Sequence, residues 1–165
     1  MAQEMRERPR CRLAWNMLFQ QVMAQLLVRD LMSTPVKTVG PTSPLRDVIR
    51  LMEEAHIRHV AVVDDNQRLL GLISHRDVLR SQEGSLSGAP SREQAHMNRW
   101  IEARWLMTKE VRTVDPDTAA LEAALTMRSH GYGCVPVVER GILVGIIAES
   151  DFVEYAIQVL SDPGV

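Results

Sequence analysis

The chain has 165 residues, 45% of them hydrophobic and 24% charged, an ordinary globular composition with length enough for one compact core. Nineteen basic against twenty-one acidic residues leave a net charge of −2, so no overall basic field points to nucleic acid or an anionic membrane. No apolar run nears the roughly 20 residues that span a bilayer, and Cys11 and Cys134 lie far apart without metal-like neighbours, the pattern of reduced thiols and a cytoplasmic location.

At the N-terminus, Arg6, Arg8, Arg10 and Arg12 precede an apolar stretch, but Asn16, Gln20 and Gln21 interrupt what would be a signal-peptide core. Trp15, Leu18, Phe19, Val22 and Leu26 instead fall on one helical face, so residues 1–27 are expected to be a helical extension that packs on the core or on a dimer partner.

Residues 28–80 form a first unit. A short β-branched run at 36–39 ends at Gly40-Pro41, and Ser43 is the expected helix N-cap with Pro44 at the first helical position. Leu45, Val48, Ile49 and Met52 then recur at helical spacing. Strand-like apolar runs at 60–63 and 69–73 are joined by the turn residues Asp64-Asp65-Asn66-Gln67, and a last helix starts near Ser74. Residues 81–103 read as a linker, flexible at 84–90, with a helix expected over 92–105.

Residues 104–158 repeat the first unit, leaving a tail at 159–165. At an offset of 75, Leu31-Met32 faces Leu106-Met107, Val36-Lys37-Thr38-Val39 faces Val111-Arg112-Thr113-Val114, and Val60-Ala61-Val62-Val63 faces Val135-Pro136-Val137-Val138. After one residue is dropped, the stretch from Gly71 to Asp77 faces that from Gly145 to Asp151 at an offset of 74. One unit alone holds little core. The expected fold is therefore α+β: two β-α-β-β-α units packed through their sheets about a pseudo-twofold axis, plus the N-terminal helix.

The paired units resemble the CBS domain, named for cystathionine β-synthase. The resemblance rests on Leu-Met before the first strand, Val135-Pro136-Val137-Val138, and Gly-apolar-apolar-Ser-x-x-Asp at 71–77. It implies a regulatory module that binds an adenosine derivative (AMP, ADP, ATP or S-adenosylmethionine) in a cleft between the repeats. It also implies a homodimer through helices near 44–56 and 119–130, with occupancy signalled to an effector protein in trans.

Ser74 closes a strand and opens a helix, where N–H groups and the helix dipole favour an anion. Asp77, one turn on, can accept hydrogen bonds from both ribose hydroxyls, although Ser-x-x-Asp also reads as a capping box. Arg58 and His59 sit where family members offer basic groups to phosphate, a forked donor beside one whose charge follows pH. Family precedent draws the adenine walls from the opposite repeat, which implicates Thr113, Val114 and Tyr132 for this main site.

The second, weaker site would use Thr38, Val39, Ile57 and Asp151. There, Gly133, Cys134 and Ala148 replace Arg58, His59 and Ser74, so it is poorly equipped for phosphate. No nucleophile–base pair, metal constellation or covalent cofactor motif stands out, and an enzyme is not expected. The competing class is an interaction or DNA-associated module with empty clefts, but Glu93, Glu102 and Glu110 interleave with Arg92, Arg99, Arg104 and Lys109 and make nucleic acid a poor partner.

Overall fold

The computed structural model describes residues 26–82 and 100–161. The expected N-terminal helix and the flexible part of the linker lie outside these residues. The fold is mixed α+β, as expected. Helix α1 (Val28–Leu31) is followed by β1 (Thr38–Val39), α2 (Leu45–Glu54), β2 (His59–Val63), β3 (Leu69–Ser74) and α3 (His75–Gln82). The second repeat runs α4 (Ala103–Leu106), α5 (Ala120–His130), β4 (Cys134–Glu139), β5 (Ile142–Ala148) and α6 (Glu149–Ser161). Of the helix expected over 92–105, the described part differs: Glu102 is extended and bridges Pro44, and helix begins only at Ala103.

In repeat 1, β2 lies between β1, which it meets in parallel, and β3, which it meets antiparallel. Repeat 2 keeps the antiparallel pair β4–β5, while its first strand shrinks to one parallel bridge from Val114 to Val137. Pro136 is tolerated inside β4 because the bonds to Val114 need only its carbonyl (3.1 Å) and the N–H of Val138 (2.9 Å). The turn after β2 is closed by the Asp64 carboxylate, which accepts from the N–H of Asn66 (2.9 Å) and Arg68 (2.8 Å).

The opening segment of each repeat is built into the other repeat. Val28 is fully buried among Ala123, Met127, Val135, Val137 and Ile147 of repeat 2, with Leu31 and Met32 packed beside them. Ala103 is likewise buried among Leu45, Val48, Val60 and Ile73 of repeat 1, with Leu106 and Met107 beside them. The hydrogen bonds repeat with the packing. Ser33 and Ile146 exchange N–H···O bonds (2.9 and 3.2 Å), as do Thr108 and Leu72 (2.9 and 3.0 Å).

These straps also start the helices. Ser43 is not the N-cap of α2: that position is Pro44, without a side-chain cap. Instead the Leu45 N–H donates to the Ile101 carbonyl (2.7 Å), and the Ala120 N–H at the start of α5 donates to the Leu26 carbonyl (2.8 Å). An orphan helical donor is thus satisfied across the repeats. Between the sheets, Ala61 and Val63 meet Leu143 and Val138, and the Leu143 N–H donates to the Gln67 carbonyl (3.0 Å).

The repeated glycine in each third strand marks where a strap crosses. An added Cβ on Gly71 would lie 2.7 Å from the Met107 thioether and 2.7 Å from the Thr108 carbonyl oxygen. On Gly145 it would collide with the Met32 sulfur.

Candidate functional site

Antiparallel pairing places His59, the first residue of β2, opposite Ser74, the last of β3. The carbonyl of Arg58 accepts the His75 N–H at 2.8 Å, which pins the mouth of this pair where α3 begins. The first turn of α3 then carries Asp77 back over it. Its Oδ2 accepts from the Ser74 N–H (2.9 Å) and the Ser74 hydroxyl (2.6 Å), while the Asp77 N–H donates to Ser74 Oγ (3.3 Å). Ser74 and Asp77 do form a capping box. That box uses one carboxylate oxygen only; among the described residues Oδ1 receives no hydrogen bond.

The pseudo-equivalent carboxylate is committed on both oxygens. Asp151 Oδ2 accepts the Ala148 N–H (2.6 Å), and Oδ1 accepts the hydroxyl of Ser33 (3.0 Å), which arrives on the strap from repeat 1. Ser33 was not singled out from sequence. Its signal was a hydroxyl after Leu-Met in both repeats, Ser33 and Thr108, and only the exchange of straps gives it meaning.

His59 lies at the junction of the repeats. Its ring is so close to Gly133 that a Cβ there would stand 3.1 Å from Cε1 and 3.3 Å from Nε2. The imidazole pKa is held below its ordinary value, chiefly by burial, with Arg58 and Arg76 pushing the same way and Asp77 and Glu149 opposing. Cys134, the residue of repeat 2 equivalent to His59, has its thiol pushed up to about 12 by burial and by the Asp151 charge. It stays protonated and is no nucleophile at neutral pH. Among the described residues no group of three or more His, Cys, Asp or Glu could hold a metal.

A histidine whose folded pKa is depressed contributes stability that is present above its unfolded value, near 6.5, and lost as pH falls through the folded value. The melting temperature of the ligand-free protein is therefore expected to drop as pH is lowered from 7.5 to 5.5. His59→Gln should flatten that drop, and an unchanged pH profile in the variant would show that His59 does not carry it.

The structure brings Arg58, His59, Ser74 and Asp77 together. The residues expected as adenine walls are more dispersed. Val114 bridges Val137 and packs on repeat 2's own core, and Thr113 beside it is exposed. Tyr132, 37% exposed, stacks on His130 at 5.1 Å between ring centroids; its neighbour Gly133 reaches the His59 ring. At the second position, Thr38 and Val39 pair with Ala61 and Val62, and Ile57 packs with Val39 on repeat 1's own core. The segments that cross between repeats are 26–33 and 101–108, not the first strands.

The CBS domain family model matches twice, over residues 28–84 and 102–158. Among solved structures, a putative acetoin utilization protein from Vibrio cholerae is similar at 38% identity and a TM-score of 0.71, covering 82% of this chain and 95% of that one. CBSX2, a CBS-pair protein of Arabidopsis thaliana solved in complex with AMP, is similar at 25% identity and a TM-score of 0.69, covering 82% and 98%. A curated homoserine O-acetyltransferase of Methanohalophilus mahii is 26% identical over 134 residues, 81% of this chain and 25% of that protein. The chain thus spans about a quarter of the length of the acetyltransferases it matches. Two matches of one family model, on two halves with the same strand register and the same crossing straps, place the chain in the CBS domain family as a CBS pair.

Proposed function

We propose that this CBS pair is a regulatory, non-catalytic module that binds an adenosine ligand carrying phosphate, of the AMP or ATP class, at Asp77 and signals its occupancy to a protein in trans. The observation that carries this reading is the asymmetry of the two carboxylates. Among the described residues Asp77 Oδ1 receives no hydrogen bond, and Asp77 and Arg58 both act on the His59 ring, whereas both oxygens of Asp151 are bonded within the protein. An open carboxylate suits ribose hydroxyls, and the guanidinium and imidazole suit phosphate. In this reading the 131–133 turn, which brings Gly133 against His59, forms one wall of the cleft, and Tyr132 on it offers a face to the base. AMP bound to a relative of similar fold supports the ligand class.

One chain supplies both clefts, so the reading needs no second copy. Titration calorimetry with AMP, ATP and S-adenosylmethionine is expected to show one strong site per chain, filled by a phosphate-bearing ligand in preference to S-adenosylmethionine. Two equal sites, or no heat and no thermal shift with any of the three, would overturn it; the second result favours a ligand-free interaction module.

A further inference from the structure

The two repeats differ on the outward faces of their first long helices. In α5, Leu121 and Leu125 are 57% and 55% exposed, one turn apart. At the offset of 75 their equivalents in α2 are Arg46 and Arg50, and Arg50 pairs with Asp47 (3.3 Å) and Glu54 (3.9 Å) as a solvated helix face does. The same backbone position is thus built for water in one repeat and for an apolar neighbour in the other.

The chain leading into each repeat differs in the same sense. Leu26, whose carbonyl accepts the Ala120 N–H, and Leu27, which bridges Ala119, fix residue 26 at the very start of α5. Just upstream, Trp15, Leu18, Phe19 and Val22 have the i, i+3, i+4, i+7 spacing of an apolar helical face. At the same offset, the residues leading to the start of α2 are Pro90, Glu93, Gln94 and Met97. An apolar approach segment therefore accompanies the apolar helix, and a mostly polar one the charged helix.

We infer that the N-terminal segment around Trp15 and Phe19 docks on α5 of its own chain, covering Leu121 and Leu125. Tethering at Leu26 gives the segment a high effective concentration at that face, where a second copy would have to come from solution. The same leucines would face a neighbour in a helix-to-helix dimer, so the two occupants compete.

The full chain carrying W100F and W105F keeps Trp15 as its single tryptophan and reports on the seat directly. Trp15 emission is expected to be blue-shifted and poorly quenched by acrylamide, unchanged on 100-fold dilution. L121R/L125R, which installs the arginines of repeat 1 on an exposed face, should red-shift it and raise quenching several-fold, and F19S on the segment side should do the same. Water-like Trp15 emission in the parent would overturn the inference. So would protection that disappears on dilution, which assigns the face to a second copy, or protection that L121R/L125R leaves intact, which seats the segment elsewhere.

Discussion

Gly71→Ala is expected to destabilise the protein by about 3 kcal/mol, the upper end for forcing a methyl group into a packed interior. For a chain of this size that lowers the melting temperature by about 6–12 °C. The added Cβ meets not only the Met107 side chain but the Thr108 carbonyl oxygen at 2.7 Å, and that carbonyl is held by the Leu72 N–H at 3.0 Å. Backbone cannot rotate away, so either the strap lifts off repeat 1 or β3 shifts. Gly145→Ala serves as the internal control. The three atoms nearest its Cβ all belong to the Met32 side chain, with no backbone atom among them, and the Cγ and Sδ of an unbranched thioether can move to another rotamer, so the cost should be smaller, about 1 kcal/mol. Calorimetric melting of the two variants decides: a loss at Gly71→Ala no larger than at Gly145→Ala, or none at all, would mean that the backbone of the 101–108 strap is not fixed against β3.

Asp77→Ala should weaken binding of a phosphate-bearing adenosine ligand on the order of 100-fold. Two charge-assisted hydrogen bonds to a ribose vanish with the carboxylate, each contributing about 1.5–3 kcal/mol, and tenfold in affinity corresponds to about 1.4 kcal/mol. The substitution also removes the acceptor of the capping box, which costs about 1 kcal/mol of stability. Asp77→Asn separates the two effects, because its amide oxygen can still accept from Ser74 while the charge is gone; its affinity should fall and its melting temperature should not. Asp151→Ala gives the opposite split, losing stability because the Ser33 hydroxyl and Ala148 N–H lose their acceptor, and leaving the strong site intact. Calorimetry on the three variants checks both halves, and equal affinity losses at Asp77 and Asp151 would place the ligand elsewhere.

Much of the fold was legible because the repeat was written in local rules. The apolar spacing of Leu45, Val48 and Met52 gives α2, and the Asp64 turn between two apolar runs gives the hairpin; neither depends on distant residues. What depends on the other repeat was not legible. Ser43 looked like an N-cap by the usual preference, but a strap carbonyl from Ile101 had taken that role. Leu-Met and Gly-apolar-apolar were each visible as signatures, yet that the methionine of one repeat fills the missing side chain of the other's glycine is a fact of packing. The candidate site divides in the same way. At Ser74–Asp77 the capping reading was legible from the Ser-x-x-Asp spacing, and the box that forms bonds only one carboxylate oxygen among the described residues. The Gly133–His59 contact and the Ser33–Asp151 bond, both between repeats, were not.

The crossing straps have a further meaning for how the halves relate as objects. Rejoin each strap to the repeat it packs against, and the molecule becomes two closed units, one made of 101–108 with 36–82 and the other of 26–33 with 111–161. Connectivity cuts across both. This is the arrangement of a domain-swapped dimer of single repeats whose two chains have been fused end to end through residues 83–99. The junction at His59 then corresponds to a subunit interface carried inside one polypeptide, and because its two sides come from different segments of one chain they need not match: one carries Arg58 and His59, the other Gly133 and Cys134.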